Sequence, residues 1–212
     1  FEPLREAVAA HLRSSRGVKC SADQVVITSG AQQALDLASR IFLEAGTSVV
    51  TEDPCYIEAR NSFSSTGAKV IPVTVDSDGL DAGRLPVDDS IRLAYVTPSH
   101  QYPLGITMTL ARRLALIEWA KAKNAWIIED DYNSEFRYSG RPLAALQGLD
   151  SEGRVIYVGT FSKTIFPGLR LGCLVVPHQL VGVFANARAL NDVHSPLSDQ
   201  AVLAEFIAEG HF

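Results

Sequence analysis

Short apolar runs alternate with longer segments of helical periodicity along the whole chain. The runs are rich in Val and Ile and mostly apolar at every position, which predicts strands that are covered on both faces. Seven runs have this character, at residues 25–28, 48–51, 69–73, 92–96, 126–129, 155–158 and 173–176. Six helices are predicted around them, at residues 3–14, 31–43, 56–65, 110–123, 181–190 and 198–209. This alternation predicts an α/β fold with a mainly parallel, seven-stranded sheet.

The helix predicted at residues 110–123 has an apolar stripe. Leu110, Leu114, Ile117 and Ala120 fall on one face, and the charged residues fall elsewhere. We therefore expect this face to pack against the sheet.

Composition excludes several classes of protein. Nineteen Lys and Arg residues against 24 Asp and Glu give a net charge of −5, so the chain has no basic footprint for nucleic acid. No apolar run is long enough to span a bilayer. The three cysteines, Cys20, Cys55 and Cys173, lie far apart and lack metal-ligand spacing, which predicts packing roles and a reducing, cytoplasmic compartment.

The two ends of the chain suggest a cut piece. Phe1 is not a methionine, the first residues do not resemble a signal peptide, and Phe212 follows directly after a predicted helix. The 212 residues contain no repeat, linker or low-complexity tract, and they fit one large domain, residues 1–212. We expect this domain to come from a longer protein.

A lysine between the last two predicted strands indicates a chemical site. Lys163 is one of only five lysines, and it lies in a segment with two hydroxyl side chains and an arginine, Thr160, Ser162 and Arg170. A lysine in such a turn is suited to form a Schiff base with an aldehyde cofactor. The two hydroxyls and the guanidinium are suited to bind a phosphate beside it.

Two further motifs follow the ends of predicted strands. Gly30, Ala31 and Gln32 stand where the strand at 25–28 turns into a helix, and free backbone N–H groups at a helix start bind anions. The same pattern is also that of an ordinary strand-to-helix turn. Tyr56 follows a proline turn after the strand at 48–51, at the sheet edge where ligands bind in α/β folds. It is suited either to stack on a flat ring or to pack as a partly buried core tyrosine.

Two more strand ends carry polar groups. The loop after residue 96 holds His100 and Tyr102 among prolines and a glycine, so His100 is either a cofactor contact or a hydrogen-bonded surface group. Glu129, Asp130 and Asp131 end an apolar strand, where unpaired charge is unfavourable without a cation. A protonated ring nitrogen, a metal or a solvated acidic loop each fits this pattern. Because no other acidic or His cluster has matching spacing, the sequence predicts no metal site.

Taken in order, these segments resemble the fold type I pyridoxal-phosphate enzymes, the aspartate aminotransferase superfamily. The amino-acid sequences of residues 97–105, 129–138 and 159–172 are similar to the corresponding motifs of MocR-type regulators. In that family a winged-helix DNA-binding domain of the GntR kind precedes an aminotransferase-like domain. The resemblance implies a three-layer α/β/α fold, pyridoxal 5′-phosphate as cofactor, a homodimer, an amino-acid or amine effector, and DNA contacts only through a domain outside this chain.

The resemblance also implies a role for each motif residue. Lys163 would form the Schiff base and move the proton of the substrate α-carbon, and Asp130 would pair with the pyridine nitrogen. Tyr132 would bond the phenolic oxygen of the ring, and Tyr56 would stack on it. The phosphate would be held by the residues of the glycine turn and by the polar residues around the lysine: Gly30, Ala31, Gln32, Thr160, Ser162 and Arg170.

Two positions depart from the superfamily pattern. Tyr102 stands where typical aminotransferases have an Asn that bonds the phenolic oxygen, so that bond is either supplied by Tyr102 or His100 or is missing. Tyr132 follows Asp130 by two residues, where many aminotransferases have three.

The residues leave two functions open, since both begin with the same chemistry. One is the effector-sensing domain of a transcription regulator, and the other is an active aminotransferase that moves an amino group between an amino acid and a 2-oxo acid. The residues of the motifs favour the regulator. A non-catalytic α/β module with a fortuitous lysine is disfavoured by the ordered set of motifs.

Overall fold

A computed structural model describes residues 1–133, 135 and 144–212, so the end of the motif at 129–138 lies largely outside the described residues. The helices of this part are α1 (Glu2–Arg16), α2 (Ala31–Phe42), α3 (Ile57–Ser64), α4 (Leu110–Lys123), α5 (Leu146–Leu149), α6 (Val181–Asp192) and α7 (Leu197–Ala208). The strands are β1 (Val25–Thr28), β2 (Ser48–Asp53), β3 (Lys69–Asp76), β4 (Gly79–Leu80), β5 (Ile91–Val96), β6 (Trp126–Asp130), β7 (Val155–Thr160) and β8 (Gly172–Val175).

The strands form one sheet in the order β1-β8-β7-β6-β5-β2-β3-β4. Parallel pairing joins β3, β2, β5, β6 and β7, whereas β8 runs antiparallel to both β7 and β1. Strands β1, β2, β5, β6 and β7 therefore end at the same edge, and β8 begins there. In open α/β sheets this edge is where ligands bind.

Helices cover both faces of the sheet. Successive side chains of a strand point to opposite sides, so one strand contributes residues to the core on each face. Ile128 packs in a core with residues of α2, α3 and α6. Ile127 packs in a second core with residues of α4 and α5 on the other face. Helices α1 and α7 form a third core over β1, β7 and β8. The predicted three-layer α/β/α fold with a mainly parallel sheet is thus confirmed.

The predicted number of seven strands is wrong, since the described residues contain eight. The additional strand, β4, has two residues and pairs antiparallel with the end of β3 through a tight hairpin. Gly79 begins it with a φ of 97°, a conformation that glycine adopts without strain. Two residues are too few to produce the alternating pattern by which a strand is predicted.

The predicted apolar face of α4 is right for Ile117 and Ala120, which are 5% and 0% exposed, and wrong for its other two residues. Leu110 and Leu114 are 59% and 46% exposed, whereas Arg113 is 2% exposed. The guanidinium of Arg113 donates to three backbone carbonyls, those of Met108 at 2.9 Å, Pro98 at 2.8 Å and Ala144 at 2.9 Å. These bonds compensate the burial of its charge, and they rotate the helix so that Arg113 faces inward.

The structure also bears on the expectations about membrane spans and about the cysteines. Among the described residues, no helix combines the length and apolarity needed to cross a bilayer. All three cysteines are free: Cys173 is buried in the core, and Cys20 and Cys55 are partly buried.

Candidate functional site

A cavity of about 300 Å³ opens at the edge where the parallel strands end. It is lined by Ala31, Gln32, Tyr56, Tyr95, Tyr102, Asp130, Tyr132, Thr160, Ser162, Lys163, Pro167 and Arg170. Ten of the twelve residues that the sequence singled out are in this lining. The other two are outside the lining: Gly30 directly precedes Ala31, and His100 is exposed. The fold therefore brings residues from six separate segments to one place.

The three carboxylates that end β6 have three different environments. Glu129 is fully buried, and its two oxygens accept from the backbone N–H groups of Leu146 at 2.7 Å and Gln147 at 2.8 Å. It therefore caps the first turn of the short helix α5. Because neighbouring strand residues alternate in direction, Asp130 points to the opposite face from Glu129 and Asp131.

Asp131 forms a buried ion pair. Its Oδ2 accepts from Arg16 Nε and from the hydroxyl of Tyr157, both at 2.8 Å. Nη2 of Arg16 also donates to Ser99 Oγ at 2.8 Å, so the end of α1 is tied to the loop after β5. Asp131 thus has its cation within the chain and does not line the cavity.

Among the described residues, Asp130 has no cation of this kind. Its Oδ2 accepts from the hydroxyl of Tyr95 at 2.8 Å, and its Oδ1 is buried without a partner among the described residues. Burial raises the pKa of Asp130 from 3.8 to about 7, although the bond from Tyr95 favours the charged form. A buried carboxylate oxygen with no donor, on a residue that lines a cavity, is suited to accept from a cationic ligand.

The anion-binding end of the cavity is built from the start of α2 and from Arg170. Gly30 precedes the helix with a φ of 89°, and Ala31 and Gln32 form the start of the first turn, where backbone N–H groups lack intrahelical acceptors. Arg170 Nη2 donates to the carbonyl of Ser29 at 3.3 Å. A Cβ on Gly30 would lie 3.3 Å from the same nitrogen, so the glycine allows the guanidinium to approach the helix start.

Gly172 joins the two halves of this end. It begins β8 and pairs with Thr28 on one side and Thr160 on the other. A Cβ at this position would lie 2.9 Å from the carbonyl oxygen of Gly159 and from Cα of Gly30. Close backbone packing at Gly172 therefore sets the distance between the helix start and the lysine segment.

The segment that carries the lysine is fixed by its backbone. Phe161 is buried, and its N–H donates to the carbonyl of Leu171 at 3.0 Å, which extends the pairing of β7 and β8. The N–H of Ser162 donates to Thr160 Oγ1 at 3.3 Å, and its own hydroxyl is buried without a partner among the described residues. Lys163 follows as an exposed residue that lines the cavity.

The opposite wall is aromatic. The ring of Tyr102 makes edge-to-face contacts with Tyr56 and Tyr132, at centroid distances of 5.7 and 5.8 Å. Burial, with the nearby charge of Asp130, raises the pKa of Tyr132 to about 12. His100 is exposed and contacts the outer side of the Tyr132 ring at 6.2 Å.

Sequence reasoning missed several residues of this site. Tyr95 and Pro167 line the cavity, and Glu52 and Gln101 form a buried network behind the tyrosines. A tyrosine in an otherwise aliphatic strand was the available signal for Tyr95. In the described part of the chain, no group of three or more His, Cys, Asp or Glu residues is arranged to hold a metal ion.

Comparison with known proteins identifies relatives over the whole length of the chain. A model of the family described as aminotransferase class I and II matches residues 2–210. The chain is similar to the probable rhizopine catabolism regulatory protein MocR of Rhizobium meliloti, with 47% identity over 99% of this chain and 42% of that protein. It is similar to the HTH-type transcriptional regulator TauR of Rhodobacter capsulatus, with 39% identity over 99% of this chain and 43% of that protein.

Solved structures with a similar fold include aminotransferases. The kynurenine aminotransferase of Pyrococcus horikoshii, solved in complex with PMP, superposes with a TM-score of 0.93 at 34% identity. The superposition covers all of this chain and 54% of that chain. The chain thus spans less than half the length of the two curated regulators and about half of this enzyme.

Proposed function

This chain belongs to the class I and II aminotransferase family, whose cofactor is pyridoxal 5′-phosphate, and we propose that it is the effector-sensing domain of a transcription regulator. The domain binds the cofactor through Lys163 and lets an amino acid or amine take the place of the lysine. The two curated relatives named above are transcription regulators, which favours sensing over turnover.

The residues that line the cavity fit this cofactor. Asp130 Oδ1 and Ser162 Oγ are buried acceptors or donors without partners among the described residues, and both residues line the cavity. At one end the start of α2 and the guanidinium of Arg170 together suit a phosphate dianion. At the other end Asp130 suits a protonated ring nitrogen. The two ends have the opposite electrostatic character that the two ends of this cofactor require.

Each residue then has a defined task. When bound, the cofactor supplies an aldehyde that condenses with an amine and a ring that withdraws electrons from the product. Lys163 provides the resident amine and, once displaced, a base beside the substrate carbon. Asp130 would keep a proton on the ring nitrogen, Tyr132 would bind the phenolic oxygen, and Tyr56 would contact the ring.

One observation supports this function most strongly. Asp130 is a buried acid, 4% exposed, with one oxygen unpartnered among the described residues, in the same cavity as Lys163 and Arg170. Its neighbour Asp131, one residue away, has a complete ion pair with Arg16. A buried carboxylate left without a cation beside one that has its own is the arrangement expected for a residue that binds a cationic ligand.

The regulator proposal is tested in the complete protein with DNA from its own promoter region. Fluorescence anisotropy of labelled DNA is measured with pyridoxal phosphate, with and without a panel of amino acids and amines. We expect one class of amine to change the DNA affinity, because an effector shifts a regulator only through different affinities for its two states. Lys163→Ala should abolish that change. DNA affinity that no amine alters would contradict the sensing function.

The alternative is a catalytically active aminotransferase, which the similarity to the Pyrococcus enzyme favours. The same residues serve both functions up to the displacement of Lys163. Sustained production of a new amino acid from an amino donor and a 2-oxo acid would identify the enzyme. A regulator without turnover gives at most one amino-group transfer per site.

The proposal extends to the rest of the protein, its oligomeric state and its compartment. Relatives of more than twice the length favour a DNA-binding segment outside these residues, through which alone the protein contacts DNA. We further propose a cytoplasmic homodimer, since a regulator acts on chromosomal DNA and oligomers of this kind are usually symmetric.

A further inference from the structure

Glu52 is a buried acid that none of the assigned roles uses. It lies at the end of β2, is 1% exposed, and belongs to the wall behind the aromatic side of the cavity. Its Oε2 accepts from Thr97 N at 3.1 Å, Thr97 Oγ1 at 2.7 Å and Gln101 Nε2 at 3.3 Å. One carboxylate oxygen therefore binds three donors of the loop that follows β5.

The two side chains that Glu52 binds in turn hold the backbone of Tyr102. Thr97 Oγ1 accepts from Tyr102 N at 3.0 Å, and Gln101 Nε2 donates to Tyr102 O at 2.8 Å. Gln101 Nε2 also donates to the carbonyl of Pro54 at 2.7 Å, next to the turn that carries Tyr56. Its two hydrogens thus serve three acceptors, and the contact with Glu52, the longest of the three, is the shared one. Both polar backbone groups of Tyr102 are thus linked to Glu52 through a single side chain each.

Tyr102 in turn lies between the two tyrosines assigned to the cofactor. Its ring meets Tyr56 and Tyr132 edge-on, with interplanar angles of 81° and 82°. A change in the backbone of Tyr102 therefore moves the contact surface of both partners. Edge-to-face pairs of this kind depend strongly on their geometry.

We propose that Glu52 is a positioning residue of the cofactor site, which through Thr97 and Gln101 fixes Tyr102 and so sets the tyrosine wall that faces the ring. The inference rests on the proposed function. The property required of Glu52 is one oxygen that accepts three hydrogen bonds, and a negative charge is not required. The other oxygen, Oε1, is buried and has no partner among the described residues, so all the bonds that Glu52 makes to the loop go through Oε2. Burial also raises the pKa of Glu52 to about 7.

The positioning role predicts different cofactor binding for two substitutions whose side chains are of nearly equal size. Glu52→Gln keeps an acceptor oxygen and places its amide where Oε1 lies, whereas Glu52→Leu removes the acceptor. Thr97→Val removes only the hydroxyl that reaches Tyr102, and it serves where Glu52→Leu folds poorly. Ser48→Ala is a matched control, because Ser48 is a buried polar residue at the other end of β2 and bonds to Ser90.

The complete protein and each variant are titrated with pyridoxal 5′-phosphate by visible absorbance. We expect Glu52→Leu and Thr97→Val to raise the Kd about 10-fold or more, by the size of coupling within a contacting network, and Glu52→Gln and Ser48→Ala to stay within about threefold. Glu52→Leu combined with Tyr102→Leu should bind no more weakly than Tyr102→Leu alone. Near-ultraviolet circular dichroism of the tyrosines, recorded without cofactor, should change in Glu52→Leu and be retained in Glu52→Gln.

Three results would overturn parts of the inference, and a fourth would overturn the proposed function instead. Wild-type affinity and dichroism in Glu52→Leu would remove the positioning role. Equal losses in Glu52→Gln and Glu52→Leu would show that charge is required. Additive effects of the Glu52 and Tyr102 substitutions would mean that Glu52 does not act through Tyr102. If the wild type binds no cofactor, the proposed function fails, and the dichroism still decides whether Glu52 positions the tyrosines.

Discussion

Replacing Asp130 by Asn should stabilise the cofactor-free protein while weakening its hold on the cofactor. The carboxylate is fully buried and receives one hydrogen bond, from Tyr95, and its Oδ1 has no donor among the described residues. In the absence of a cationic ligand, the folded protein therefore contains a poorly compensated acid. Asn keeps the shape and an acceptor for the hydroxyl of Tyr95, and it removes the charge.

The magnitude follows from the pKa. Burial raises the pKa of Asp130 from 3.8 to about 7, and each pH unit corresponds to ~1.4 kcal/mol, so the acid costs the fold about 4 kcal/mol above pH 7. The new amide is left without an acceptor, which costs about 1–3 kcal/mol. The expected net gain of Asp130→Asn at pH 8 is thus about 1–3 kcal/mol.

The gain should depend on pH in a defined direction. Between 3.8 and about 7 the folded state holds a proton that the unfolded state has released, so the wild type loses stability as pH rises through this range. Asn at this position removes that slope, and the difference between the proteins should widen by about 1.4 kcal/mol per pH unit from pH 5 to pH 7 and then level off. Glu52 and Glu129, whose pKa values burial also raises, titrate in both proteins.

Urea unfolding of cofactor-free protein at pH 5, 6, 7 and 8 measures this difference. Asp131→Asn is the matched control, because its carboxylate pairs with Arg16 and its loss should destabilise the protein at every pH tested. Pyridoxal phosphate should then bind more weakly to Asp130→Asn than to the wild type. A stability difference that is the same at pH 5 and pH 8, or a loss of stability throughout, would refute the description of Asp130 as a buried acid awaiting a cation.

Other expected outcomes can be measured in parallel. Arg16→Leu removes the buried cation of Asp131 and should lower the free energy of unfolding by about 3–5 kcal/mol in urea, and a loss below about 1 kcal/mol would be inconsistent with a buried pair. Gly172→Ala forces a Cβ to within 2.9 Å of backbone atoms and should cost about 1–3 kcal/mol, whereas Gly182→Ala, with no atom within 4 Å, should be neutral or slightly stabilising. Arg170→Met should weaken pyridoxal phosphate at least about 10-fold, by loss of a charge-assisted bond, and leave pyridoxal, which lacks the phosphate, unchanged. Equal effects on both ligands would remove Arg170 from the phosphate site.

Much of the site was predictable because each motif follows the end of a strand. In a mainly parallel sheet these ends meet at one edge, so residues as distant as Gln32 and Arg170 had to converge once the alternation of strands and helices was recognised. The opposite directions of Asp130 and Asp131 followed from the pleat of a strand. What each acid contacts did not follow, because Arg16 reaches Asp131 from a helix more than a hundred residues earlier in the chain.

The wrong half of the α4 face and the missed residues Glu52 and Tyr95 have a common physical cause. Sequence patterns treat a polar residue as exposed, but Arg113 and Glu52 are buried because backbone and side-chain groups of distant segments satisfy them. The carbonyls that accept hydrogen bonds from Arg113, and the loop groups that donate to Glu52, come into position only in the folded protein. Tyr95 was missed for the same reason, since its hydroxyl has a task only when β5 lies beside β6.

The measurement that tests the central claim most directly is borohydride reduction of the protein mixed with pyridoxal 5′-phosphate, followed by peptide mapping. The account predicts a visible absorption band that disappears on reduction and a single phosphopyridoxyl label on Lys163, with no label in Lys163→Ala. Lys123→Ala, at the far end of α4, is the matched control and should label as the wild type does. Absence of any band, or a label spread over the other lysines, would contradict the assignment of this cavity as the cofactor site.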